Sequence, residues 1–489
     1  MTATPWTYAS AATLAAALDS GEVSAVELTR DAIDRIEAID GAINAVCVKT
    51  YESALESAAQ ADARRAGGER GPLLGVPMTI KESFNLAGTP TTWGFPDARD
   101  FRPEEDALIV ARVKAAGAVI LGKTNVPLAL GDWQSYNEIY GVTNNPFDLA
   151  RTPGGSSGGS SAALAAGLGA LSLGSDIGGS LRVPAHFCGI FAHKPTHSLV
   201  PPRGQTSPFM PALPGSVDLS VVGPMARSAE DLETLLDIIA GPDPLDDGVG
   251  YRLALPPARL GSLAQARVLV LTEHPLAPSD EAIASALDQL YAGLEKAGAR
   301  VARTSALLPD LSATAGLYVR LLYAAFTARM PEAAIADLVA AARGLDPDDR
   351  TLVAEQARGA TLSHRQWIAE NGARQRLRAV WRALFREFDA LICPVTPTAA
   401  FPHDFTPNQN ARQMKVNGTP RAYFENVLWP GVATLPGLPA TAFPLGRTAD
   451  GLPIGAQIVG PWLEDRTTLA LARLIEREFG GFTPPPAYA

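Results

Sequence analysis

The chain has 489 residues, 47% of them hydrophobic and 19% charged, with a formal net charge of −10. Such a composition excludes a disordered chain, and the acidic balance excludes a nucleic-acid binder, which needs a basic face. Three cysteines, Cys47, Cys188 and Cys393, stand far apart with no C-x-x-C spacing, which excludes a disulfide framework and a thiolate metal site.

In chain order, the first signal is SAVE at Ser24 to Glu27, a capping box followed by Leu28, Ala32, Ile36 and Ile39 at helical spacing. A short strand is expected over 76–80, after a glycine-proline turn, with Lys81 just past its end. A helix over 108–116 stops at Gly117 and leads into a buried strand over 118–121. The same helix–strand logic returns as a strand at 268–271, a helix at 280–297, a stop at Gly298 and a strand from Arg300. Residues 310–390, rich in Ala, Arg and Leu, read as several helices. CPVTPTAAFP follows at 393–402, then strand-like runs at 441–444 and 454–459 and a last helix at 467–479. Strands alternating with helices predict an α/β protein, a central sheet covered by helices on both faces. No composition shift forces a boundary, so 1–489 reads as one large domain.

No lysine or arginine precedes Arg30, so the positive region of a secretory signal is missing. The longest weakly polar run, 161–174, is too short and too rich in Gly and Ser to span a bilayer. The expectation is a cytoplasmic protein with no membrane partner.

Two motif matches fail on context. GAVILGKT, Gly117 to Thr124, fits the phosphate-loop pattern, but its middle residues belong to a strand and no capped helix follows Lys123. GGSSG, Gly154 to Gly158, fits the nucleophile-elbow pattern, yet polar, proline-ended text precedes it where a buried strand is needed. The six histidines sit in no metal-ligand or base context; His186, His193 and His197 cluster without carboxylate partners. More informative is GSDIGGS, Gly174 to Ser180. Successive N–H groups of a glycine turn can converge on an oxyanion, with the Ser180 hydroxyl beside them. Ser156 and Ser157 lie upstream in GGSSGGSS, 154–161, which reads either as a flexible tether or as backbone forced through conformations only glycine tolerates. Lys81 acts as a base only if burial keeps it neutral.

The text from Pro153 to Thr196 strongly resembles the signature segment of the amidase signature family of serine hydrolases. GVPMTIKES, GAVILGKTNVP, GVTNNPFD, GPMARSAEDL and GLPIGAQIVGPWLEDRTTLALA resemble the family too, so the likeness covers most of the chain and is weakest over 250–390. The resemblance implies the amidase signature fold, a single domain with a mixed central sheet. It also implies a Ser–cis-Ser–Lys triad: Ser180 as nucleophile, Ser156, behind a cis peptide, as relay, and Lys81 as base. The oxyanion hole would be the N–H groups of Ile177, Gly178, Gly179 and Ser180, with Gly155, Ser157, Asp176 and Arg182 as supports. Glu82 departs from the aspartate usual in the family at that place. No metal or organic cofactor is implied.

Trp93, Trp133, Tyr136, Tyr140 and Phe209 fall near these segments and are candidates for an apolar pocket, shaped further by the helical 310–390 region. The expected reaction is hydrolysis of C–N bonds in small aryl or alkyl amides, with esters and carbamates as further substrates, by a monomer or homodimer. The alternative is the amidase component of a tRNA-dependent amidotransferase, which releases ammonia for partner chains. A binding protein that has lost catalysis is a third reading, disfavoured by the intact polar triad.

Overall fold

The computed structural model describes residues 4–327, 330 and 332–489. Ser24 and Glu27 make the reciprocal bonds of the capping box, and helix Ala25–Ile43 follows. Asp280 caps helix Glu281–Lys296 through its side chain. Residues 310–390 contain helices Leu311–Thr327, Glu332–Arg343, Leu352–Ala360 and His364–Glu387.

Eleven strands form one sheet. Their spatial order is Val46–Lys49, Val119–Thr124, Pro77–Lys81, Leu171–Asp176, Val221–Ala226, Phe191–Lys194, Ala440–Arg447, Pro453–Val459, Ala390–Pro394, Arg267–Val270, Arg300–Ala302. Parallel and antiparallel pairs mix: Pro77–Lys81 runs parallel to both neighbours, while Leu171–Asp176 is antiparallel to Val221–Ala226. Alternate side chains of one strand enter two different cores, because successive Cβ atoms point to opposite faces. Val268 and Val270 join the core under helices Glu281–Lys296 and Asp465–Phe479. Leu269 joins the core under Leu311–Thr327 and His364–Glu387. The chain is a single α/β domain, a mixed sheet flanked by helices.

The strand expected over 118–121 extends to Thr124. Gly122 and Lys123 of the phosphate-loop match are therefore ladder residues, and a Cβ on Gly122 would stand 2.4 Å from the Val48 carbonyl oxygen. Buried Lys123 donates to the Pro90 carbonyl and to Thr91 Oγ1 (2.8 Å), which leaves no phosphate cradle there. Leu171–Asp176, Phe191–Lys194, Val221–Ala226 and Ala390–Pro394, in the middle of the sheet, carry no sequence pattern. Every residue in them is buried, so no polar–apolar alternation marks them.

Parallel pairing places the site. Ile80 is in register with Leu173, so the ends of Pro77–Lys81 and Leu171–Asp176 emerge side by side at one rim of the sheet.

Candidate active site

Lys81, at the strand end, is fully buried. Its Nζ lies 2.7 Å from Ser156 Oγ and 3.0 Å from Ser175 Oγ. Burial pushes its ammonium pKa down to about 7, although the nearby negative charges of Asp176 and Glu82 pull upward.

GGSSGGSS is no tether. A Cβ on Gly154 (φ +90) would stand 2.6 Å from Pro184 Cα, and one on Gly155 2.4 Å from the Asp132 carbonyl oxygen. Only glycine lets the backbone pass so close. The Gly155–Ser156 peptide is cis. Ser157 N–H donates to the Ser180 carbonyl (3.2 Å) and Ser157 Oγ to the Ser175 carbonyl (3.3 Å), which ties this loop to the next. Helix Gly158–Ala165, fully buried, begins directly after it.

Ser180 sits in the turn between strand Leu171–Asp176 and helix Arg182–Cys188, 6% exposed. Asp176 organises that turn. Its Oδ1 accepts from Gly179 N–H (2.9 Å) and Arg182 Nη2 (2.9 Å), and its Oδ2 from Leu181 N–H (3.1 Å) and Arg182 Nε (3.0 Å). Burial pushes the Asp176 carboxyl up, but the Arg182 guanidinium, with Lys194 and the Leu181 amide, outweighs it and holds the pKa below the usual range. Arg182 in turn reaches Gln457 Oε1 (2.7 Å), Thr434 Oγ1 (2.8 Å) and the Pro430 carbonyl (3.0 Å).

The turn's carbonyls are pinned as well. Tyr318 OH donates to Ile177 O (2.7 Å), and Trp133 Nε1 donates to Gly178 O (2.9 Å). In a trans peptide the C=O and the following N–H point oppositely. Tyr318 thus turns the Gly178 N–H away from itself, and Trp133 turns the Gly179 N–H toward Asp176. This corrects one expectation: the Gly179 N–H is committed to a carboxylate and is not a free donor. The N–H groups of Ile177, Gly178 and Ser180 have no protein acceptor among the described residues.

A cavity of about 600 Å³ opens over this rim and is lined by Ser156, Ser175 and Ser180 at its floor. Its apolar wall includes Trp93, Trp133, Tyr323, Phe326, Phe424 and Val427. Two of the five expected pocket aromatics, Trp93 and Trp133, therefore line it and three do not. The Tyr136 hydroxyl accepts from Arg412 Nη2 (2.9 Å) and its ring packs on Phe405 (4.7 Å), outside the lining. Phe209, 66% exposed, rests against Phe101 (5.0 Å) on the surface, because its loop turns outward there. Tyr140, also outside, donates to Glu82 (3.2 Å).

Glu82 serves the cavity wall. It accepts the N–H groups of Thr92 (2.5 Å) and Trp93 (3.0 Å). Trp93 has a left-handed backbone (φ +52), and Glu82 holds this wall residue in that conformation. Ser175, Gln205, Tyr318 and Tyr323 escaped sequence reasoning. Ser175 stood inside GSDIGGS; the other three stand in text without a pattern. His186 pairs with the Gly455 and Thr398 backbone and His193 with Thr441 and Asp465; the Asp465 carboxylate, 272 residues away in sequence, corrects the reading that these histidines lack a carboxylate partner. No described helix is long and apolar enough to cross a membrane.

The fold and this rim define an enzyme class, and comparison with known proteins agrees. A family model described as Amidase matches residues 27–469. The chain belongs to that family, the amidase signature enzymes, and acts on amide bonds. It is 36% identical to a glutamyl-tRNA(Gln) amidotransferase subunit of Salinispora tropica, over 99% of each chain. It is 33% identical to fatty-acid amide hydrolase 2-A of Danio rerio, over 98% of this chain and 90% of that one. Among solved structures, a protein from a vestigial complex connected with the origins of an s-triazine catabolic enzyme superposes with a TM-score of 0.79. That match has 31% identity over 96% of this chain and 99% of the other.

Proposed function

We propose that the chain hydrolyses C–N bonds of small amides through an acyl-enzyme on Ser180. The observation that carries this reading is Lys81: fully buried, with its pKa brought to about 7, and 2.7 Å from Ser156 at the floor of a cavity that Ser180 also lines. Neutral Lys81 accepts the Ser156 proton while Ser156 accepts that of Ser180. The Ser180 oxygen forms a bond to the substrate carbonyl carbon. The negative charge that develops on the carbonyl oxygen is met by the Ile177, Gly178 and Ser180 N–H groups. The C–N bond breaks as Ser156 passes its proton to the leaving nitrogen and is reprotonated from Lys81. Water then repeats the path on the ester and frees the acid.

The relatives favour the amidotransferase component over a stand-alone amidase, since the protein from Salinispora tropica is the more similar of the two relatives above. The cavity favours the stand-alone amidase. Glutamine would bring a carboxylate and an ammonium into it. No lysine or arginine among the described residues lines it; of its three acids, Asp132 and Asp176 are paired with Arg412 and Arg182, and Asp337 is exposed on helix Glu332–Arg343, away from the buried serines. Aromatic walls suit an aryl or alkyl acyl group, for amides first and for esters or carbamates of the same shape. Leu322, Tyr323 and Phe326 of helix Leu311–Thr327 and Gln356 of helix Leu352–Ala360 would set its outline. Assaying the purified chain alone decides. Turnover of arylacetyl amides at least about tenfold above glutamine supports the small-molecule reading. Glutaminase activity that appears only with partner chains supports the amidotransferase.

Tyr318→Phe removes one hydroxyl and keeps the ring against Gly431. It is expected to lower kcat about tenfold with KM and melting temperature little changed, since a misaimed Gly178 N–H matters only once the oxyanion forms. Steady-state kinetics beside a thermal melt check this; unchanged kcat would mean that the turn holds its shape without Tyr318.

A further inference from the structure

Gln205 carries the inference. It stands in PPRGQTSP, away from every family-like segment, yet it lines the cavity with Ser156, Ser175 and Ser180 and is only 6% exposed. Its Nε2 donates to Ser175 Oγ (3.1 Å), the hydroxyl that also faces Lys81 Nζ (3.0 Å). Its carbonyl oxygen Oε1 has no partner among the described residues and is not among the fully enclosed unpaired atoms. The carboxamide is planar, so Oε1 stands about 2.2 Å from Nε2 and no more than about 5.3 Å from Ser175 Oγ.

The loop beneath it is rigid. Gln205 N–H donates to Pro202 O (2.8 Å), Asn85 N–H to Gly204 O (2.9 Å) and Leu108 N–H to Arg203 O (2.9 Å). Arg203 Nε donates to Asp243 Oδ2 (2.6 Å). Gly204 (φ +85) passes so close to Ala107 that a Cβ would stand 2.4 Å from its Cα. Gln205 is therefore held at both ends, by its backbone and by its Nε2, with one acceptor left over.

We infer that Gln205 is a specificity-determining residue, whose Oε1 accepts a hydrogen bond from the N–H of the scissile amide and so makes the site prefer amides to the corresponding esters. The leaving nitrogen takes its new proton on its lone pair from Ser156. Its own N–H then needs an acceptor at the cavity floor, where Ser156, Ser175, Ser180 and Gln205 are all buried, and a buried donor left unpaired is costly. An ester has no N–H and leaves Oε1 unpaired instead. Sites built to hydrogen-bond a substrate N–H discriminate strongly against analogues without it. This inference rests on the amide-hydrolysis reading above.

The test uses matched substrates, the primary amide, the anilide and the phenyl ester of one arylacetyl group, with the full chain and its Gln205→Leu and Gln205→Met variants. Fluorophosphonate labelling, which needs Ser180 and the relay but offers no N–H, is the parallel readout. The expected result is an amide-to-ester ratio of kcat/KM at least about tenfold lower in both variants, with labelling rates following the ester. Equal losses on amide, ester and labelling would overturn the inference and make Gln205 a support for Ser175 and Lys81 alone; an unchanged ratio overturns it as well. A wild-type chain that neither labels nor turns over any of the substrates overturns the amide-hydrolysis reading, and this inference with it.

Discussion

Ser180→Ala is expected to lower kcat by about 10⁵-fold on any substrate the chain turns over, with the fold intact. Among the described residues the Ser180 hydroxyl has no side-chain partner that its loss would leave unpaired. The tie that holds the turn uses the Ser180 backbone carbonyl, which alanine keeps. A fluorophosphonate should add its mass to Ser180 in the native chain and nowhere in the variant. An adduct on Ser156 or Ser157, or a variant that keeps even a tenth of its activity, would move the nucleophile into the 154–161 loop and defeat the assignment. The size of the effect separates covalent catalysis from binding: a serine that only oriented substrate would cost far less.

The second large effect belongs to Lys81. With a pKa near 7 in the folded chain, the fraction of neutral base rises with pH and levels off above about 8. Log kcat/KM should climb with unit slope below about pH 6 and bend over to a plateau by about pH 8. A profile flat from pH 8 to pH 4 would show that no group of this kind must lose a proton. Lys81→Met keeps the packing and removes the base, with an expected loss of about 10³- to 10⁴-fold. Stability carries the same signature. An unfolded lysine holds its proton up to about 10.5, the folded Lys81 only to about 7, so the unfolded state binds more protons between those values and stability rises with pH across that window. Lys81→Met should flatten that rise, measured by urea unfolding at pH 7, 8 and 9. It does not abolish it, because buried Lys194 and Lys123, lowered to about 7 and about 8, titrate in the same range. An unaltered slope would mean that Lys81 stays protonated in the fold.

Capping boxes, helix stops and strands that directly follow a stop or a turn were legible because their signals are local. Ser24 and Glu27 meet across one turn, and Asp280 caps its own helix. Strands 171–176 and 221–226 were not legible, since burial on both faces erases alternation and leaves LSLGSD and VVGPMA looking like loops. For the pocket, proximity along the chain misled: Tyr136 and Phe209 lie close in sequence to lining residues, yet Arg412 claims the one and the surface the other. The same blindness hid the competition for the Gly179 N–H, which Asp176 takes from three residues upstream.

By itself the sequence determined the family and, through its glycines, where the backbone must pass closest to its neighbours. Those signals are local, and a long signature segment carries them without help from distant residues. Only the tertiary structure decided that strands roughly 40 and 90 residues away bring Lys81 between Val119–Thr124 and Leu171–Asp176, that Tyr318 from a helix roughly 140 residues downstream fixes a peptide plane of the glycine turn, and that Gln205 faces the cavity. Lysine is a surface residue by default. Complete burial among those strands turns it into a base, and no stretch of sequence around Lys81 encodes that environment.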